Sequence, residues 1–452
     1  MGRWGDGVPG QGDRAKALAM THPSREPRAV AFRLLAQVLD RRRPLDEALA
    51  DSNGFASLAP RDRALVRRLL ATLLRRLGQV DDLIETCLNR PLKRGHGGVR
   101  NLLRLGAVQL AFLDTPAHAA VSTTLNLATS PRLAGHKGLI NALLRRIDRE
   151  GAALIAKQDA ARLNTPRRLW QSWESAYGEV ATRAIAEAHL SEPPLDLTVK
   201  SAAEVEIWAD RLEARVLPNG SLRLPPGRGE IAKLPGYAEG AWWVQDAAAG
   251  LPVRLLGQVA GRRVVDLCAA PGGKTATLAA LGAQVTAVDI SPSRAGRLEA
   301  NLTRLGLGAE IVTADAAAWR PPAPVDAVLL DAPCSGTGTL RRHPDIAQLK
   351  GPDDIAALTA LQDRLLAAAV ETLAPGGILV YATCSLQPEE GPERIAALIA
   401  AGAPLARMPV KPDEVFGRDD WLSAEGDLRT LPCHLAELGG MDGFYACRLR
   451  RR

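Results

Sequence analysis

Two cysteines stand where a nucleophile could work: Cys384 in the segment TCS (383–385) and Cys334 in DAPCSG (331–336). Each follows a run rich in Val, Leu and Ile, GGILVYATC (376–384) and VDAVLLDAP (325–333). Such continuous apolar runs read as parallel strands buried on both faces. Taken singly, either thiol is more simply a small buried hydrophobe. Two thiols at two neighbouring strand ends are harder to explain as packing, because ligands of open α/β sheets bind there. The six cysteines, Cys87, Cys268, Cys334, Cys384, Cys433 and Cys447, are scattered with no C-x-x-C pair and no zinc spacing. No metal site is expected from them, and free thiols are expected rather than disulfides.

The chemistry such a pair could do is specific. Cytosine C5 is a poor nucleophile toward a methyl sulfonium, but adding a thiolate at C6 turns the ring into an enamine and makes C5 reactive. The thiolate is the active form, so the site must lower a thiol pKa that is ordinarily about 8.5. An acid near ring N3 helps the attack by neutralising developing charge. Asp331 is the carboxylate placed for that task, and Cys334 is a candidate for assisting release.

A second cluster follows another strand. DLCAAPGGKT (266–275) opens a helix with glycines that let backbone approach a ligand. The phosphate-binding pattern G-x-x-x-x-G-K-[ST] fails here, because its first glycine position is Cys268. The dinucleotide pattern G-x-G-x-x-G fails as well, since only Gly272 and Gly273 are present. Asp289 ends the next strand, sixteen residues beyond Gly273, where a carboxylate can accept from ribose hydroxyls. Asp315 ends the third strand, where it could meet an adenine edge. Each aspartate alone could be a turn or helix cap. Together they describe a ribose-and-base site without a phosphate cradle, which suits S-adenosyl-L-methionine better than ATP or NAD.

Elements that could hold these residues are visible along the chain. Residues 236–452 alternate strand-like runs, at 262–270, 283–291, 309–315, 325–333 and 376–384, with helical stretches such as 293–306 and 354–373. That alternation implies a doubly wound α/β sheet. Residues 24–150 read as helices only, with apolar spacing at 29–40, 61–77, 99–113, 119–129 and 137–150. Between them, 151–235 reads as a small α/β connecting segment: a helix at 165–178 entered through Thr165 and Pro166, a strand at 193–200, and a hairpin at 214–226 turning on Asn219–Gly220. Residues 1–23 carry Gly, Pro and scattered charge without periodicity and are expected to be a disordered tail.

Charge is unevenly placed. Residues 1–150 hold 25 Lys+Arg against 14 Asp+Glu, a net of +11, while the remainder holds 32 against 36, a net of −4. A basic N-terminal third is the footprint of a phosphate-binding module, although a solvated arginine face is an equally ordinary reading. No apolar run reaches the roughly 18 residues of a membrane span, and MGRWGDGVPGQGDRAKALAM lacks the apolar core of a secretory signal. A cytoplasmic, monomeric protein is expected.

DLCAAPGGKT, DAPCSGTG (331–338) and ATCSLQPEE (382–390) resemble the hallmark segments of the RNA cytosine-5 methyltransferase family. The resemblance implies a Rossmann-like methyltransferase domain over 236–452, with Cys384 bonding to C6 and Cys334 assisting breakdown of the adduct. It also assigns Cys268, Ala269, Ala270, Pro271, Gly272, Gly273, Lys274, Asp289, Asp315 and Asp331 to the cofactor site, with Lys274 and Asp331 counted among the catalytic residues. DNA cytosine methyltransferases use the Pro-Cys position as nucleophile and lack the second cysteine, so Cys384 argues for RNA. WWVQDAAAGL (242–251) and MDGFYACRL (441–449) look like the first and last segments of the family's catalytic domain.

TPAHAAVSTTLNLA (115–128) and GLINALLRRI (138–147) resemble the antitermination factor NusB, a helical RNA-binding fold. The pairing is typical of the branch acting on 16S ribosomal RNA, naked or in an early small-subunit particle. One departure is LTVK at 197–200, where Arg-x-Asn is expected, which bears on how the middle segment meets RNA. Arg341, Arg342 and His343 read as RNA phosphate contacts or as a solvated loop.

Two other function classes compete. An RNA-binding assembly factor with a vestigial enzyme domain would have no reason to keep Cys384, Cys334, Asp331 and Lys274 together. A cysteine hydrolase using His343 or His434 would need a base oriented beside its thiol, and would leave Asp289 and Asp315 without a role.

Overall fold

A computed structural model describes residues 26–452. The expected tail at 1–23 lies outside the described residues. The chain divides into two compact units, one ending at Asn164 and the other spanning Thr165–Arg452.

The first unit is helical throughout its described residues. Its longer helices are Pro27–Leu39, Pro60–Arg75, Leu77–Cys87, Gly97–Phe112, Ala117–Leu127 and Lys137–Ile155. Pro60–Arg75 shows why they assemble. Val66, Leu69, Leu70, Leu73 and Leu74 recur at helical spacing and are buried, while Arg61, Arg67 and Arg68 stay exposed. Gly97–Phe112 packs at the centre, burying Val99, Leu102, Leu103, Leu105 and Val108. The sequence pattern at 61–77 suggests one helix. The structure breaks it at Arg76, and just beyond the break Gly78 comes so close to Leu163 that a β-carbon there would lie 1.8 Å from the Leu163 carbonyl oxygen.

The second unit carries two sheets. The smaller pairs β2 (Arg215–Val216), β3 (Leu222–Leu224), β1 (Leu195–Val199) and β4 (Trp242–Val244) in that order, all antiparallel. The hairpin expected at Asn219–Gly220 is the β2–β3 turn, with Gly220 at φ 81°. Helix Val205–Leu212 covers this sheet, joining Trp208 and Leu212 to Leu197, Leu222, Leu224 and Trp242 in one core. Lys200, the departure noted above, donates to the Leu305 carbonyl at 3.0 Å.

The larger sheet has eight strands in the order β10 (Leu405–Arg407), β12 (Phe444–Arg451), β9 (Leu373–Thr383), β8 (Val325–Asp331), β5 (Arg263–Leu267), β6 (Gln284–Asp289) and β7 (Glu310–Thr313), with β11 (Leu428–Thr430) pairing on β12. Strands β5 to β9 run parallel, and β12 inserts antiparallel beside β9. Successive residues bury on opposite faces, Val264 with Leu278 and Leu329 on one, Val265 with Leu330 and Leu366 on the other. This is why the strand sequences read as unbroken apolar runs. Chain order reverses between β5 and β8, and the C-terminal ends of those strands flank a crevice of the kind that takes ligands.

Candidate active site

A cavity of about 660 Å³ opens at that reversal, lined by the turn Ala269–Gly273, Lys274, Asp331, Cys384, Arg342 and Phe444. The turn after β5 has Cys268 at φ 63° and Gly272 at φ 102°, with a cis bond between Ala270 and Pro271. Gly272 is required twice over. Side chains rarely adopt its φ, and a β-carbon there would lie 2.9 Å from Leu298. The turn hands the chain to helix Gly273–Ala280, whose first residues bring Lys274 under the cavity.

Lys274 is 9% exposed. Its Nζ donates to Asp331 Oδ2 at 2.7 Å and lies 4.9 Å from the Phe444 ring centre. Burial alone would lower the ammonium's pKa, but Asp331, with Cys384 and Asp266 adding, more than reverses this and raises it. Lys274 is therefore a fixed cation. Asp331 ends β8, and Cys384 directly follows β9, two strands that pair in register from Ala327 to Asp331. That pairing brings Cys334 Sγ within 3.4 Å of Cys384 Sγ. All six cysteines are free thiols.

The cysteines differ in how readily they lose a proton. The hydrogen bond to Cys384 pushes the Cys334 thiol well up, and burial and the charges of Cys384, Glu390 and Asp331 push it further. Burial pushes Cys268 up to about 12, with Asp331, Asp289 and Asp266 adding. Asp266 is fully buried and raised to about 7 by that burial, against the Thr275 hydroxyl that donates to its Oδ2 at 2.6 Å. Its Oδ1 has no hydrogen-bond partner.

Of the residues expected from sequence, Ala269, Ala270, Pro271, Gly272, Gly273, Lys274, Asp331 and Cys384 line the cavity, and Cys334 touches it through Cys384. Cys268, Asp289 and Asp315 are not among the lining residues. Asp289 is buried at the end of β6, where it accepts from Ala270 N at 3.2 Å, Ser291 N at 2.9 Å and Arg294 at 2.9 Å. Asp315 is exposed after β7 and accepts from Ala317 N at 3.0 Å.

The expectation for the 341–343 segment needs correcting. Arg341 is 1% exposed and donates to Asp246, Asp442 and the Gly439 carbonyl. It ties the chain around β12 together and offers no surface to a phosphate. Arg342 Nε donates to Asp442 at 2.9 Å, and Arg342 and His343 line the cavity.

Several residues were invisible in the sequence. The helix expected at 165–178 begins at Arg167, with Pro166 in the capping position, and runs to Ala188 through a break at Gly178. It braces the loop that carries Cys384. Trp173 Nε1 donates to Gln387 Oε1 at 2.9 Å, Gln387 Nε2 to Ser172 Oγ at 2.9 Å, and Tyr177 to the Leu386 carbonyl at 2.6 Å. Arg429 donates to the Ser385 carbonyl at 2.7 Å. Glu390 is the last of them, at the centre of a buried cluster beside both thiols. The only hint was its place in the quoted segment ATCSLQPEE.

The chain matches the family described as 16S rRNA methyltransferase RsmB/F over residues 253–450, and the NusB family over residues 25–149. It is 37% identical over 441 residues to the ribosomal RNA small subunit methyltransferase B of Pseudomonas syringae pv. tomato, covering 94% of this chain and 96% of that protein. The crystal structure of PH0851 superposes with a TM-score of 0.72 at 22% identity, over 96% of this chain and 100% of that one, a likeness of fold. A methyltransferase homolog protein from Pyrococcus horikoshii superposes with a TM-score of 0.52 at 28% identity, over 62% and 94%.

Proposed function

The chain belongs to the 16S rRNA methyltransferase RsmB/F family, and from that premise we propose that it methylates C5 of a cytosine in 16S ribosomal RNA through a covalent Cys384–C6 bond. Methylation of RNA with S-adenosyl-L-methionine is the activity of the family; the base, the position on it and the intermediate are our reading. One observation carries that reading. A proton-holding thiol, Cys334, touches a second thiol that lines a cavity beside a buried lysine–aspartate pair.

The residues present fit the cofactor. The turn at 268–273 is held open by backbone that side chains rarely adopt. The lysine and arginines lining the cavity are engaged by protein, Lys274 by Asp331, Arg304 by two backbone carbonyls and Arg342 by Asp442, so no phosphate cradle is left. Residues 268–274, Asp289, Asp315 and Asp331 would hold the cofactor, which when bound supplies an electrophilic methyl on a sulfonium.

The chain's own residues do the rest. The target base must leave its stack to expose C6. Lys274 supplies the positive charge that a thiolate nucleophile needs nearby. The Cys384 sulfur forms its bond to C6, and N3 takes up a proton through Asp331, which Lys274 holds in place, as the ring becomes an enamine. C5 then accepts the methyl. Loss of the C5 proton to solvent, return of the N3 proton to Asp331 and breakage of the S–C6 bond restore the 5,6 double bond and the Cys384 thiolate. Cys334, 3.4 Å from the departing sulfur, is assigned to that release. The helices of 24–150, with their net +11 over residues 1–150, are assigned to binding RNA phosphates. Such a substrate puts the enzyme's work in the cytoplasm, and no helix among the described residues is long and apolar enough to cross a membrane.

The test is a pair of variants on unmodified small-subunit RNA with labelled cofactor. Cys384→Ala should give no methylation and no covalent complex. Cys334→Ala should accumulate a protein–RNA adduct that survives denaturing gels. Near-normal turnover by Cys384→Ala would overturn the assignment.

A further inference from the structure

Glu390 is fully buried, and the reaction proposed above does not use it. Both its carboxylate oxygens are engaged. Oε1 accepts from Ser335 N at 2.8 Å and from Gln362 Nε2 at 3.3 Å. Oε2 accepts from Ser385 Oγ at 2.6 Å and from Ser335 Oγ. The donors are two hydroxyls, an amide and a backbone N–H; no cation pairs with it among the described residues. A carboxylate buried without a counter-charge is costly and is kept only where its hydrogen bonds do something that an apolar side chain would not.

The identity of its partners says what that is. Ser335 is the residue after Cys334, and Ser385 is the residue after Cys384. One carboxylate grips both loops at the position next to each thiol. The grip is extended by Ser385 Oγ, which lies 3.1 Å from Ser335 Oγ and accepts from Gln387 N at 3.0 Å. Thr337 Oγ1 accepts from Leu386 N at 2.9 Å, closing a second link between the loops. The carboxylate is itself held from outside. Tyr381 donates its hydroxyl to the Glu390 carbonyl at 2.8 Å, and Gln362, which reaches Oε1, also donates to the Pro333 carbonyl at 2.9 Å.

We propose that Glu390 is a positioning residue that fixes the register of the two cysteine loops, so that the Cys334 and Cys384 sulfurs stand in contact at the cavity. The inference rests on the covalent reading of those thiols. It differs from a packing role in a checkable way. A packing role would be met by any side chain of this size, whereas a clamp needs four acceptor positions on one rigid carboxylate. Glutamine keeps the shape but replaces one acceptor oxygen by a donor, which then faces the Ser335 and Ser385 hydroxyls or the Ser335 N–H.

The experiment compares Glu390→Gln, Ser385→Ala and the double variant of the full chain, by steady-state methylation of unmodified small-subunit RNA. For Glu390→Gln, kcat should fall roughly 10- to 100-fold, the loss expected when reacting groups shift by about an ångström. KM for RNA and for the cofactor should stay within about twofold, since neither ligand touches Glu390. Ser385→Ala acts through the same carboxylate, so the double variant should be no more than about twofold slower than Glu390→Gln alone. Wild-type kcat in Glu390→Gln overturns the inference, as do losses that multiply in the double variant, or a rise of both KM values alongside the fall in kcat. If Glu390→Gln does not fold, Ser335→Ala and Ser385→Ala, singly and together, are read by the same split of kcat from KM. Cys384→Ala is run beside them. Activity there sinks the covalent reading, whereas a dead Cys384→Ala with a normal Glu390→Gln sinks this inference alone.

Discussion

Replacing Arg341 with methionine separates a buried tie from an RNA contact. Arg341 donates to Asp246 Oδ2 at 3.3 Å, Asp442 Oδ1 at 3.4 Å and the Gly439 carbonyl at 2.6 Å. Methionine keeps much of the volume, so the chief loss is the charge. The Asp246 and Asp442 side chains are 6% and 0% exposed. Removing one partner of a buried pair costs about 3–5 kcal/mol. The two carboxylate distances are long and Asp442 keeps Arg342, which points to about 3–4 kcal/mol. With an unfolding entropy of about 2.1 cal/mol/K per residue, the unit Thr165–Arg452 should melt about 5–7 °C lower. The deficit should also depend on pH. Burial raises the Asp442 carboxyl, the Asp246 charge adds to this, and Arg342 and Arg341 oppose it. Losing Arg341 raises it further. A carboxyl raised on folding binds its proton more readily in the native state, so its contribution to stability falls as pH climbs above the unfolded value of about 3.9. The melting deficit should therefore be larger at pH 8 than at pH 5. Scanning fluorimetry at both pH values, with RNA KM measured alongside, tests this. A melting point within about 1 °C of wild type together with a KM for RNA raised about tenfold would refute the buried tie and restore the phosphate contact.

Two further outcomes follow from the site's geometry. Lys274→Met removes the cation beside Asp331 and should lower kcat about 10²- to 10³-fold in steady-state methylation, with KM for RNA nearly unchanged. Gly338→Ala puts a methyl 2.0 Å from the Gly443 carbonyl oxygen and 2.9 Å from that of Cys384, so the β9 and β12 loops must part. It should cost about 1–3 kcal/mol in thermal unfolding and reduce kcat more than a surface change of equal stability cost.

What could be read from sequence was local. The inner parallel strands show as apolar runs because both their faces are buried, and Asn219–Gly220 announces its hairpin because that turn favours those residues. Cys384, Cys334 and Asp331 could be nominated together because each lies within a few residues of a strand end, and parallel strand ends converge, while Lys274 was named only by the family resemblance. What could not be read was long-range. Arg341 finds Asp246 and Asp442 at separations of 95 and 101 residues, and Ser335 finds Glu390 at 55. An arginine beside another arginine and a histidine looks like a solvated or phosphate-binding loop until the carboxylates arrive from elsewhere. The break between Pro60–Arg75 and Leu77–Cys87 lies beside Gly78, whose close approach to Leu163 is likewise invisible in the sequence.

The distribution of buried charge separates cysteines that residue type alone leaves alike. Around the cavity the chain buries carboxylates of two kinds. Asp196 and Asp442 are matched by Arg223, Arg341 and Arg342, and those pairs hold the frame. Glu390 and Asp266 are met by hydroxyls, amides or backbone N–H rather than by a paired cation, and burial raises the Asp266 carboxyl to about 7. Carboxylates act on two of the three nearby cysteines, Glu390 and Asp331 on Cys334, and Asp331, Asp289 and Asp266 on Cys268. Cys334 and Cys268 are already pushed up, one by its hydrogen bond to Cys384 and the other by burial, and the carboxylates push them further. Both remain thiols at neutral pH. Cys384 is the cysteine that lines the cavity and the one whose charge couples to the Lys274 ammonium. Of the three, Cys384 is the one whose sulfur stands at the cavity wall, and Cys334, which keeps its proton, stands 3.4 Å from it.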